Sequence, residues 1–246
     1  MTNSKNFFRK LYKIPSPTLN TGARKNIRLL NQYLSAFSKP VLLNLGSGQR
    51  FLGEKILQED QRTKILNLDM SRFATVDVLG DAHHLPFSQD VFHGVICQAL
   101  LEHVYNPEHV VSEIFRVLKN DGFVYAEIPF LQGYHPTPHD YYRFTGEGII
   151  SLFSRFARID SGVCVGPSST LSWILREYLT GLLTGFSEKK KLRGVAGFMT
   201  GWLTFPIKYL DFIFSKGAGA HRIASGFYFL GKKTDKAISS DQRKGV

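Results

Sequence analysis

Val41-Leu42-Leu43-Asn44-Leu45-Gly46-Ser47-Gly48 decides the fold. A short, nearly all-apolar run that stops at a Gly-Ser-Gly turn is the signature of a strand buried on both faces. Ile65-Leu66-Asn67-Leu68, ending at Asp69, is a second such run, and Val91 to Cys97 is a third. Asn106 can cap a helix with Pro107 at its first position, and Val110, Val111, Ile114, Phe115 and Leu118 supply one apolar face before Asn120-Asp121-Gly122 ends it. Phe123 to Ile128 is the next strand, Thr145 can cap a helix through Phe153, and Ile223 to Gly231 is a last strand. Strands alternating with helices predict an α/β fold with a doubly wound, mostly parallel sheet, whose ligand site lies at the carboxyl ends of its strands.

Upstream, residues 1–40 are basic and free of acids, yet Ile27, Leu29, Leu30, Tyr33, Leu34 and Phe37 recur at near-helical spacing and lead into the first strand. That reads as a helix of the folded domain in a cytoplasmic chain, with no apolar stretch of the secretory kind. The whole chain has 246 residues and a formal net charge of +11, unevenly spread. Eight Lys/Arg and no acids occupy 1–40, ten basic and fifteen acidic residues occupy 41–164, and thirteen basic and five acidic residues occupy 165–246. Basic flanks of this kind suit nucleic acid or an anionic membrane, since both attract Lys/Arg. Cys97 and Cys164 are too few for a metal cluster and read as free thiols.

The chemistry is expected at the strand ends. Gly46-Ser47-Gly48 lets a ligand approach the backbone closely, and Asp69, 23 residues beyond Gly46, can accept hydrogen bonds from both hydroxyls of a ribose. A dinucleotide fingerprint needs a third small residue where Phe51 stands, and no P-loop motif occurs. S-adenosylmethionine, with a ribose and an adenine but no phosphate, suits such a site.

These stretches resemble the class I S-adenosylmethionine-dependent methyltransferases, in particular the ubiquinone- and menaquinone-biosynthesis-like subgroup with a methyltransferase type 11 domain. The likeness rests on residues 41–48, Leu68-Asp69, Gly80-Asp81-Ala82 with Leu85-Pro86-Phe87, Leu101-Glu102-His103-Val104, and Phe115-Arg116-Val117-Leu118-Lys119 leading to Gly122. It covers about residues 25–160 plus the final strand. It implies a Rossmann-like seven-stranded sheet, S-adenosyl-L-methionine as cofactor, and a cofactor site of Asn44, Gly46, Ser47, Gly48, Asp69, Met70, Asp81 and Ala82. Asn44 replaces the acid usual before the first glycine, and His93 replaces an Asp common in the lead-in to the fourth strand.

Methyl transfer requires an oriented and deprotonated nucleophile. His103 and His139 are the candidate bases, each with a structural hydrogen bond as its alternative role. His135, Asp140, Tyr141, Tyr142 and Arg143, in the loop Pro129 to Phe144, are candidates for a substrate wall, with an Asp140–Arg143 ion pair anchoring the next helix as the alternative. No acid and histidine cluster stands at ligand spacing in the sequence, so no metal is expected. The motifs after the fourth strand argue against base methylation in nucleic acid, although the basic flanks keep that as a third reading.

The domain boundaries expected are a basic helical segment (1–40), a methyltransferase core (41–166), a hydrophobic helical insertion (167–222), a final strand (223–232) and a basic tail (233–246). In the insertion, Leu171, Ile174, Leu175, Tyr178, Leu179, Leu182, Leu183 and Phe186 form an apolar face ahead of Lys189-Lys190-Lys191 and Arg193. The segment is either a soluble lid over the substrate or a device for docking on an anionic membrane. The expected function is methyl transfer to a small-molecule or lipid-linked acceptor by a chain lying in the cytoplasm, peripheral on the membrane's cytoplasmic face. The rival of another class is a degenerate cofactor-binding domain serving as a membrane or partner scaffold.

Overall fold

The structure, a computed structural model, describes residues 14–48, 56–57 and 62–234. Phe51, most of the segment after the glycine turn, the first thirteen residues and most of the basic tail therefore lie outside the described residues. The chain divides into two compact units: residues 22–130, 134–164 and 226 onward, and residues up to 21 with 131–133 and 165–225.

The larger unit carries a seven-stranded sheet. Its strands are β1 (Val41–Leu45), β2 (Lys64–Asp69), β3 (Val78–Leu79), β4 (Phe92–Gln98), β5 (Leu118–Pro129), β6 (Ala157–Val165) and β7 (Gly226–Lys232), in the order β3-β2-β1-β4-β5-β7-β6. β1 pairs in parallel with β2 and β4, β2 with β3, and β4 with β5, while β7 runs antiparallel to β5. Successive residues of the central strands are buried, as in Leu42-Leu43 and Val95-Ile96-Cys97, because helices cover both faces.

Helix α1 (Ala23–Leu34) buries Ile27, Leu30 and Leu34. Gly94 of β4 makes room for it, since a Cβ there would meet the Leu34 side chain at 3.2 Å. Helix α2 (Pro107–Val117) starts as its sequence requires: the Asn106 side chain accepts from the His109 N–H, and Pro107 stands at the first turn. It ends earlier than expected. Arg116 is clamped by Glu113 and donates to the carbonyls of Phe87 and Leu85, and the chain turns straight into β5 at Leu118, paired with Phe92. The Asn120-Asp121-Gly122 stretch is instead an irregularity inside the β4–β5 ladder, with Asp121 at φ +64. Helix α3 (Gly146–Leu152) is capped by Thr145, whose hydroxyl accepts from the Gly148 N–H.

His93, where the resembled family has an acid, serves the sheet. Its Nδ1 accepts from the Val41 N–H at 3.0 Å, and burial, with Lys119 nearby, lowers its pKa.

The smaller unit is helical: α4 (Pro167–Thr184), α5 (Lys190–Thr204), a 3-10 stretch (Phe205–Leu210), a single turn α6 (Asp211–Phe214) and a second 3-10 turn (Ala220–Ile223). The last of these corrects the strand expected from Ile223, which begins only at Gly226. Asp211, fully buried, accepts from the backbone N–H of Ser168 and Ser169 and from the Ser169 hydroxyl, neutralising the amino end of α4. Gly166 is required beside it, since a Cβ there would sit 2.4 Å from the carboxylate. Residues 14–21 belong to this unit: the Leu19 N–H donates to Ser169, Asn20 bridges Val165, and the Lys208 ammonium donates to the Ser16 carbonyl. Among the described residues no helix is long and apolar enough to cross a membrane.

Candidate active site

The strand order reverses between β1 and β4, with β2 and β3 to one side and β5, β7 and β6 to the other. Ligand crevices form at the carboxyl ends of strands at such a point. Here it holds a cavity of about 630 Å³, lined by the ends of β1, β2 and β4 and the loops that follow them. Small-molecule pockets run from roughly 300 to 1,000 Å³.

Gly46 (φ +71) and Gly48 (φ +56) line it in the left-handed region that glycine tolerates. A Cβ on Gly46 would press on Leu100 at 3.0 Å, closing the crevice where β1 faces β4. The Gly46 and Ser47 N–H groups donate to the Leu68 carbonyl, which fixes the turn to β2. Asp69 accepts from the Gly48 N–H at 2.9 Å and the Ser71 N–H at 2.8 Å. A carboxylate has about four lone-pair sites, so it retains capacity for the hydroxyls of a ribose. Asp81 accepts from the backbone and ring nitrogens of His83, at 2.9 and 2.8 Å. Burial pushes its carboxyl up, but these bonds and the charges of His83 and His84 more than offset that and lower its pKa.

Of the residues singled out in the sequence, Gly46, Gly48, Asp69, Met70, Asp81, Ala82, His103, His139 and Tyr141 line the cavity. Asn44 does not: buried in β1, it donates to Asn67 Oδ1 at 2.8 Å and ties β1 to β2. Ser47 is buried behind the turn, and its hydroxyl has no protein partner. His135, Asp140, Tyr142 and Arg143 are also absent from the lining and brace the loop instead. Arg143 grips Asp140 with both terminal nitrogens, at 2.5 and 2.7 Å, and the His135 N–H donates to the same carboxylate. The guanidinium's hydrogen bonds hold the Asp140 pKa at about 2, overcoming the opposite effect of burial. The Tyr142 hydroxyl donates to the Tyr105 carbonyl.

Sequence spacing concealed four contributors. Ala99, at φ +50, is a strained alanine at the end of β4 in the cavity wall, and strain of this kind gathers at functional sites. His83 and Tyr105, both lining residues, stack with centroids 4.0 Å apart. Glu102 is fully buried, and neither carboxylate oxygen has a hydrogen-bond partner. Its Oε1 lies 3.7 Å from His103 Nε2 and 3.8 Å from His135 Nε2. The ligand atoms of these three residues lie within 4.8 Å of one another, a donor set of the kind that holds a divalent transition metal. Sequence spacing does not reveal this cluster, because the loop after β5 folds back to form it: the Tyr141 and Tyr142 N–H groups donate to the Glu102 carbonyl.

His103 Nδ1 lies 2.6 Å from the carbonyl oxygen of His139. A carbonyl only accepts, so Nδ1 carries the proton and Nε2 keeps its lone pair in the neutral ring.

Residues 44–126 match the family described as a methyltransferase domain. No curated protein matches the chain. Among solved structures it is similar to the [4+2]-cyclase SpnF, with 16% identity over 86% of this chain and 81% of that one and a TM-score of 0.54. It is similar to coclaurine N-methyltransferase bound to N-methylheliamine and SAH, with 13% identity over 85% and 70% of the two chains and a TM-score of 0.54. It is also similar to the Haemonchus contortus phosphoethanolamine N-methyltransferase 2 in complex with S-adenosyl-L-methionine, with 16% identity, 86% and 52% coverage and a TM-score of 0.55. At these identities the likeness to the solved structures is one of fold, and the domain match adds the chemistry. Residues 44–126 thus resemble a methyltransferase domain, on a fold shared with these solved methyltransferases.

Proposed function

We propose that the chain transfers a methyl group to a small-molecule or lipid-linked acceptor, with His103 as the general base. One observation carries this reading: at the cavity wall, His103 is held in the tautomer whose Nε2 can take a proton, beside a buried carboxylate that has no hydrogen-bond partner. When bound, the cofactor supplies an electrophilic sulfonium methyl. Asp69 holds the ribose hydroxyls, Asp81 accepts from the adenine amino group, and the glycine turn lets the methionine part lie against the backbone. His103 Nε2 would take the acceptor's proton as the acceptor atom replaces sulfur on the methyl carbon, the carbon–sulfur bond breaking and S-adenosylhomocysteine leaving as the neutral thioether. The resulting imidazolium then faces Glu102 at 3.7 Å, which stabilises it and gives the buried carboxylate a cationic partner.

Lipid linkage of the acceptor and a peripheral place on the cytoplasmic membrane face belong to the same proposal. They are supported by the eight Lys/Arg against three Asp/Glu in residues 165–225. The test is incubation with methyl-labelled cofactor and either lipid or aqueous cell extracts. Label should appear in one fraction with the wild type, and His103→Ala should lower turnover by about 10²–10⁴-fold while affinity for S-adenosylhomocysteine is kept. A variant that turns over as the wild type does would remove His103 from the mechanism.

A further inference from the structure

The helical unit is packed inside out. The residues that α4 buries are Ser168, Ser169, Thr170, Ser172, Thr180, Gly181 and Thr184, and those of α5 are Ala196, Thr200, Gly201 and Thr204. Ser172 donates to the Thr204 carbonyl at 3.0 Å and the Thr180 and Thr200 hydroxyls meet at 2.7 Å, so the two helices run antiparallel with hydroxyls as their seam. Large apolar residues point the other way. Leu171, Ile174, Tyr178 and Leu182 are exposed along α4, and Leu192, Val195, Met199 and Leu203 repeat the same spacing, exposed, along α5. Phe212, Ile213 and Phe214 extend the exposed apolar surface.

In water this arrangement forgoes the main gain of folding, because burying a Leu or Ile side chain contributes about 1.5–3 kcal/mol. In a bilayer no such gain exists between helices, and their contacts are made by small residues and cross-helix hydroxyls. Charge points to the same partner. Lys189, Lys190 and Lys191 are exposed at the amino end of α5, where the helix dipole disfavours cations and no acid stands in the first turn. An external anionic surface resolves that conflict.

We propose that α5 lies in the interface of one leaflet of an anionic bilayer, its apolar stripe among the lipids and Lys189–Lys191 at the headgroups. With 18 and 15 residues, the helices are about 27 and 22 Å long, short of the roughly 20 apolar residues that cross a membrane. Docking does not depend on methyl transfer, and the two fail separately.

The test is co-sedimentation of the full chain with phosphatidylcholine vesicles, with and without phosphatidylserine. Binding to the anionic vesicles is expected, with a salt-sensitive part. Replacing all three lysines by glutamine should weaken it by about fivefold for each charge. The triple variant Val195→Ser, Met199→Ser, Leu203→Ser should lose the salt-insensitive part, with its helix content and S-adenosylhomocysteine affinity unchanged. Indifference to both vesicles would overturn the proposal, and a concentration-dependent dimer that the triple variant abolishes would assign the face to a second copy.

Discussion

The two units of this chain solve the same packing problem with opposite residues. In the sheet unit Leu43, Ile96 and Phe229 are sealed from water, and the polar groups that share their strands are tied by hydrogen bonds, as Asn44 is to Asn67. In the helical unit hydroxyls and glycines form the inside, and Leu203 is 70% exposed. Hydrophobic burial alone accounts for the first; the second needs hydrogen bonds and close approach of small side chains, which are indifferent to whether the outer face meets water or lipid.

That contrast breaks first at Leu43. Leu43→Ala should cost about 2–5 kcal/mol in urea unfolding, and a much smaller loss would mean that the strand core is not close-packed. Next in size is Asp69→Ala, which should weaken S-adenosylhomocysteine binding by about 1.5–3 kcal/mol in titration calorimetry. Vesicle binding should be untouched, which sharpens the separation of the two units. Asp140 offers a third test. Its folded pKa, about 2 against an ordinary 3.8, is depressed, so its ion pair stabilises the fold above pH ~4, and that contribution is lost as the pH falls toward 2. The stability difference between wild type and Asp140→Asn should therefore shrink by about 2 kcal/mol over that window. The smallest effect belongs to the helical unit: Leu203→Ser should change stability in solution by less than about 0.5 kcal/mol, whereas a loss near that of Leu43→Ala would show the stripe to be a core.

The central strands were legible because they are buried on both faces and so read as unbroken apolar runs ended by glycine or aspartate. β6 was not legible: Arg158, Asp160 and Ser161 interrupt its pattern, since it lies at the edge of the sheet and stays half exposed. Part of the cavity wall was readable from glycines and acids at strand ends. Glu102 was not, because its meaning comes from His135, which only the folding back of a loop brings near. The apolar face of α4 was read correctly as a stripe, but its direction was hidden. Periodicity identifies two faces of a helix, and only the partners of Ser172 and Thr180 say which one turns inward.

The bond from the Leu19 N–H to Ser169 spans 150 positions of sequence. During synthesis at roughly 5–20 residues per second, the second partner would follow the first by about 8–30 s. Residues 14–21 must wait through that interval while most of the sheet is made. The sheet waits too, since β7, the second-last strand in space, is the last in time. Both units therefore close almost together as β7 is made, and the apolar helices emerge only shortly before either can be completed.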